Sequence, residues 1–444
     1  MTRQYDLKQR VRQRMQKTGE RYVAARAQIL ASISAAPQPP DDTATGPAAR
    51  YVFAPGVCRD TSAARNFLAA IGIRAPHTRA PIDEALLTGL CGGIGFLYIV
   101  FEYTGYPPML SLLMRHDSAA DQFVPAGLQR LGLSLQTSET TSAAKAERDL
   151  RAALADGTPA LCVVDAALIA SNPPPGLAPG MAPTIAVVVE ITGDECVIDA
   201  GRGRQLRVST AHLARARASI RKTRHRLFTA NPSDAAATSP SHVDDAIAAC
   251  VDRFVNSPYK GFASNFGFAG MEKWLALLTD ERDAKGWLRL FPDGRRACMG
   301  LRRVYQGLQC ELTPPAGGRA LYAEFLRQAA AICAHEPYAR VATAYDEAAR
   351  AWAAIAQRVA DCGVREVRSG CDLLDAYSEL LDGADDAAER DVAAELNEMD
   401  ALCALDADAT RTLYRELADM VRVAIDAERT AHAGLSAALA ARRA

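Results

Sequence analysis

Cys58 is the residue whose type and surroundings bear most directly on chemistry. It stands in Gly56-Val57-Cys58-Arg59-Asp60-Thr61-Ser62, and Phe67, Leu68 and Ile71 follow it at helical spacing. Asp60, Thr61 and Ser62 are helix-capping types, so the spacing predicts a helix that opens at the cysteine. A thiol at a helix N-terminus feels the positive end of the backbone dipole, which favours thiolate. That is how a thiol nucleophile is built. The competing reading is a small buried hydrophobe. Downstream lie His77 in a Pro-flanked turn, the pair Asp83-Glu84, Cys91, and the glycines Gly92, Gly93 and Gly95. The Gly-rich turn lacks the preceding strand and the GK[ST] ending of a phosphate loop. Its glycines are expected to approach the Cys58 helix or a substrate closely. Asp83 and Glu84 cap the next helix or hold that turn, and Glu84 joins the three glycines as a candidate substrate contact. Asp165 closes a strand, where both site residues and ordinary caps occur.

The elements that must position these residues follow from periodicity. Residues 1–36 form one amphipathic helix, with Leu7, Val11, Met15, Tyr22 and Ile29 on one side and Arg10, Arg12, Arg14 and Lys17 on the other. A Pro-rich linker at 37–49 leads into a mixed α/β region at 50–230. Its near-continuous apolar runs, 160–164, 185–191 and 196–199, read as interior strands. A second linker precedes 241–444, which reads as helical throughout and, lacking a fixed repeat, as a bundle.

Composition removes several classes. A net charge of −1 argues against a dedicated nucleic-acid binder. The 11 cysteines show neither CxxC nor Cys/His pairs, so neither a zinc site nor a disulfide framework is expected, and reduced thiols in a cytoplasmic protein fit best. The basic N-terminus has no apolar core behind it, which speaks against a signal peptide. No apolar run reaches the roughly 18 residues of a membrane span.

Taken in order, Cys58, the helix start Thr61 to Asn66, Asp83-Glu84 and the Gly92-Gly93-Ile94-Gly95 turn resemble the N-terminal domain of the butirosin-biosynthesis protein H family. That group is papain-like and similar to C39 peptidases. The resemblance continues more weakly to about position 230, and the rest looks like the helical domain of unknown function that follows in this family. It implies an α+β fold, with a papain-like cysteine-peptidase-type domain followed by an all-α domain. It also implies cysteine-dependent acyl transfer in a biosynthetic pathway: Cys58 takes an acyl group from a thioester, free or on an acyl carrier protein, and passes it to a small amine. The oxyanion would be held by amides at the helix start, including that of Cys58. No cofactor, metal, nucleic acid or membrane enters this reading, and a homo-oligomer is compatible with it.

Such a site needs a histidine on a later strand and an Asp or Asn to orient it. By the resemblance Asp199 fills the last role, but the histidine's position holds Thr184, and Val57 precedes the cysteine where many relatives have histidine. Threonine cannot accept a proton near neutral pH. His77 is the first substitute base and His116 a weaker one. Two rival readings therefore stand beside acyl transfer. One is a catalytically degenerate scaffold or binding protein of the same fold; the other is a thiol peptidase or amidase.

Overall fold

The computed structural model describes residues 46–75, 77–115, 120–169, 179–180, 182–230, 239–257, 259–310, 314–382 and 392–444. The expected helix at 1–36, most of the 37–49 linker, His116 and positions 231–238 lie outside these residues. The first half runs α1 (Pro47–Arg50), α2 (Arg59–Ala70), α3 (Glu84–Leu90), β1 (Ile94–Phe101), β2 (Met109–Arg115), α4 (Ala120–Arg130), β3 (Leu135–Ser138), α5 (Ala143–Ala153), β4 (Ala160–Asp165) and α6 (Ala166–Ile169). It continues through β5 (Pro183–Thr192), β6 (Glu195–Asp199), β7 (Leu206–Ser209), α7 (Thr210–Ser219) and β8 (Leu227–Ala230). The second half is helical: α8 (Pro240–Val255), α9 (Gly267–Thr279), α10 (Trp287–Leu290), α11 (Gly294–Gln309), α12 (Arg319–Cys333), α13 (Pro337–Ala360), α14 (Arg365–Asp382), α15 (Val392–Leu402) and α16 (Ala407–Arg443). The chain is thus mixed α/β with a helical C-terminal region. No helix among the described residues is long and apolar enough to cross a membrane.

Six strands form one sheet in the order β3-β8-β4-β5-β6-β7, and each neighbouring pair is antiparallel. Its central strands are buried on both faces, which is why they read as unbroken apolar runs. Side chains alternate between the faces. Val163, Ile185, Val187 and Val197 join the large core beneath α2. Cys162, Val164, Ala186, Val188 and Ile198 enter a smaller core with Leu150 of α5 and Leu213 of α7.

Strands β1 and β2 form a separate antiparallel hairpin. Phe96 of β1 lies 6.2 Å from Trp274 and 5.8 Å from Trp352, ring centre to ring centre, and Trp287 Nε1 donates to the Tyr98 hydroxyl at 2.9 Å. The hairpin therefore packs among the C-terminal helices, and the boundary expected near 230–241 falls within one continuous core. Arg319 of α12 fastens the joint. Fully buried, it donates to the carbonyls of Gly95 and Met114 at 2.9 and 2.8 Å, and to Glu428 of α16 at 2.9 Å. Glu428 also accepts from Trp352 Nε1 at 2.8 Å.

One disulfide, Cys298–Cys403, joins α11 to the residue after α15 with Cα atoms 6.4 Å apart. It corrects the expectation that every thiol is reduced. The two cysteines are 105 residues apart in sequence, so no spacing rule could pair them.

Breaking a buried ion pair strands the remaining charge. Arg319→Met is expected to destabilise the protein by about 3–5 kcal/mol in urea unfolding. It is also expected to strip hydrogen-exchange protection from 94–115 before the six-stranded sheet. Unchanged protection in the hairpin would show that Arg319 does not fasten it.

Candidate functional site

Cys58 occupies the N-cap of α2 in extended conformation (φ −124°, ψ 122°), and its side chain makes no capping hydrogen bond. The cap comes from another helix. Glu84, the first residue of α3, accepts from the amides of Cys58 and Val57 at 2.7 and 2.9 Å, and from the hydroxyls of Thr61 and Ser62 at 2.9 and 3.3 Å. The adjacent Asp83 caps α3 itself, accepting from the Leu86 amide at 2.8 Å. Gly56 leaves room for this arrangement, because a Cβ there would lie 2.5 Å from Glu84 Oε2 and 1.6 Å from Ser62 Oγ.

A second carboxylate lies within the first turn of α2 itself. Asp60 is fully buried; it pairs with Arg115 at the end of β2 at 2.8 Å and accepts from the Thr184 hydroxyl at 2.5 Å and the Ile185 amide at 2.9 Å. Both acids act on the Cys58 thiol, and the residue is only 6% exposed. Burial first, then the charges of Asp60 and Glu84, push its pKa up to about 11, against smaller downward pulls from Arg115 and Thr61. The expectation of a thiolate-favouring helix start is therefore corrected. The dipole is already answered by a carboxylate, and the amide of Cys58 that would receive an oxyanion is occupied by the same group.

Thr184 and Asp199 lie on adjacent strands, with Val187 opposite Asp199. Thr184 touches α2 through Asp60 rather than through the thiol. The alternating set Ala186 and Val188 faces the opposite core, so strand alternation does not explain the contact. It arises because Asp60 reaches the strand end, where one oxygen takes a hydroxyl and the next amide together. Among the described residues Asp199 orients no imidazole. Its carboxylate accepts from Asn66 of α2 at 2.8 Å, Tyr51 at 3.0 Å and the Gly201 amide at 2.7 Å, and burial raises its pKa. His77 is exposed in a turn and is not among the groups acting on Cys58.

The glycines face elsewhere. Gly92 and Gly93 end α3 at φ +107° and +76°, and a Cβ on Gly93 would lie 2.3 Å from the Tyr322 ring of α12. The Gly95 carbonyl accepts from Arg319. All three positions are buried, and the close approaches of Gly93 and Gly95 are to the helical half and not to α2 as expected. Cys91 is buried, and Asp165 accepts from the Ala167 and Gly180 amides and the Ser219 hydroxyl at 3.1, 2.5 and 2.6 Å. Sequence reasoning missed Arg115, whose one signal is a charge closing an apolar strand. It also missed Tyr377 of α14, on which the charges of Arg59 and Arg202 act, bringing the helical half to the start of α2. Among the described residues no cluster of three or more His, Cys, Asp or Glu could hold a metal ion.

Fold and site together define a mixed α/β protein built round a buried cysteine-headed helix and joined to a helical region. Residues 59–170 match the family model for the butirosin biosynthesis protein H N-terminal domain, beginning one residue after the cysteine. Residues 211–396 match a domain of unknown function (DUF4872). The chain belongs to the butirosin biosynthesis protein H-like family that carries these two domains in this order, which marks it as a biosynthetic-pathway protein. No curated protein matches it.

Two outcomes test this geometry. At pH 8 a thiol with a pKa near 11 is about one part in a thousand thiolate, against about a quarter for an ordinary thiol. Alkylation of Cys58 by iodoacetamide should therefore keep rising between about pH 9 and 11, and Glu84→Gln should shift the rise to lower pH by removing one opposing charge. A rate already level by pH 9 contradicts the account. Glu84→Ala leaves two amides and two hydroxyls without their acceptor, and should lower stability in urea by about 2–4 kcal/mol.

Proposed function

We propose that this chain keeps the architecture of a papain-like acyl-transfer domain and uses it as a binding or scaffolding member of a biosynthetic pathway, with Cys58 held as a neutral thiol. The observation that carries this is Glu84: its carboxylate fills the amide of Cys58 where an oxyanion would be received and opposes ionisation of the sulfur beside it. A nucleophilic cysteine needs a nearby base or a depressed pKa, and the groups acting on this thiol are two acids, an arginine and a threonine. The molecules such a fold would bind are an acyl thioester, free or on a carrier protein, and a small amine.

A second reading is cysteine-dependent acyl transfer, with Cys58 forming a thioester and passing it to an amine. What favours it is the position of Cys58 at the head of a helix whose Asn66 is held by Asp199. It requires Glu84 to withdraw from the Cys58 amide and a base to approach the sulfur.

Intact mass after incubation with small acyl thioesters at pH 7.5 separates the readings, with Cys58→Ser as the control. The scaffold reading expects no Cys58-dependent adduct over hours. An acyl adduct that disappears in Cys58→Ser, and that is discharged by an added amine, overturns it in favour of acyl transfer.

A further inference from the structure

One stretch of the chain is strongly basic and has no part in the chemistry above. Between Asp199 and Asp234 stand nine Arg and Lys and no Asp or Glu, in a chain whose net charge is −1. Three of the nine are tied up: Arg217 is buried, Arg207 pairs with Glu195, and Arg226 pairs with Asp121 and Glu139. Four others are exposed along α7 and the turn after it. Arg215 lies with Ala211 and Ala218 on the helix face turned to solvent, where those short side chains leave it uncovered. Arg221, Lys222 and Arg224 follow in one short 3₁₀ turn, closed by the Arg224 amide donating to the Arg221 carbonyl at 3.2 Å. Among the described residues no carboxylate pairs with Arg215, Arg221 or Lys222. Arg224 reaches Glu139 only at 3.7 Å, and Arg226 already holds that carboxylate at 2.7 Å.

Like charges this close repel one another, so a fold that leaves them unpaired forgoes stability there. The turn is also held in an unfavourable backbone shape. Arg224 and His225 are successive left-handed residues, at φ 49° and 51°, and neither is glycine. Two contacts hold them: the Thr140 amide donates to the Arg224 carbonyl at 2.8 Å, and buried Arg217 donates to the His225 carbonyl at 2.7 Å. The cations thus stand on a fixed support, and a partner that meets them spends little in ordering it. Such a partner is negative, and its kind follows from the surroundings. Phe228, the one Phe, Tyr or Trp between 200 and 233, is 4% exposed, so no ring is offered for bases to stack on. The chain as a whole is slightly acidic, so a long polyanion running past the patch meets repulsion, whereas a protein face matched to its size does not. We propose that the exposed side of α7 and the turn after it, with Arg215, Arg221, Lys222 and Arg224, is the docking surface for a protein partner that presents several carboxylates. Helix α7 covers the face of the sheet opposite α2, so a partner held here stands apart from Cys58, and the proposal does not depend on the state of that thiol.

Fluorescence anisotropy of a fluorescein-labelled, Glu-rich helical peptide mixed with the full chain tests this. Binding is expected at about 50 mM salt and should weaken as salt rises. Arg221→Glu combined with Lys222→Glu should weaken it about tenfold or more. Should that charge reversal fail to fold, Arg221→Gln with Lys222→Gln carries the test, with an expected loss of about threefold. Arg340→Glu with Arg350→Glu makes the same change of charge on α13, where both arginines are exposed. That variant and Cys58→Ser should each leave the affinity within about twofold of the unaltered chain. No binding at low salt, or an equal loss in the α13 variant, overturns the proposal. So does patch-dependent binding of a single-stranded oligonucleotide of matched charge that is tighter than the peptide's, which makes the surface a nucleic-acid site.

Discussion

The head of the Cys58 helix depends on one carboxylate. A helix start leaves amides that need acceptors, and most helices supply one from their own N-cap side chain. A cysteine cannot do this well, and here it does not. Glu84 does it from 26 residues away, binding two amides and two hydroxyls with its two oxygens. The same negative charge that satisfies the helix opposes a second one on the sulfur. Firmness at this helix start and reactivity of its thiol thus pull against each other through a single group, and the structure resolves the conflict in favour of firmness.

Two buried ion pairs follow a common pattern. Asp60 with Arg115 links α2 to the hairpin, and Arg319 with Glu428 links the hairpin to the last helix. Each pair is supplemented by backbone partners, which a low-dielectric interior demands if ions are to be kept there. Asp60 also collects Thr184 and Ile185 from the sheet, so a chain of polar contacts runs from β5 through α2 to the hairpin. Hydrophobic burial provides most of the stabilisation along this route. The ionic contacts choose which side chains meet.

How much of this was legible in the sequence varies by kind of signal. The helix opened by Cys58, the interior strands and the helical second half were legible, because capping residues and apolar period are local properties. The doubly covered sheet was also legible as unbroken apolar runs, although such runs record burial and not strand direction, and these strands are antiparallel. What was not legible is long-range. Nothing near Glu84 says that its carboxylate crosses to another helix, and Asp83 beside it is the ordinary cap. The glycines at 92, 93 and 95 announced a close approach but not to which surface; Tyr322 and Arg319, more than 200 positions on, were the answer. The Cys298–Cys403 pair is hidden for the same reason.

The hairpin at 94–115 has a bearing on inheritance. It is encoded within the first matched region yet contributes Phe96 and Tyr98 to an aromatic cluster whose other rings, Trp274, Trp287 and Trp352, belong to the second half. A recombination event that exchanged either half alone would leave rings on one side of that cluster facing strangers. The two halves can therefore diverge together far more easily than they can be shuffled, and the pairing of these two modules in one polypeptide is maintained by side-chain shape as well as by any shared task.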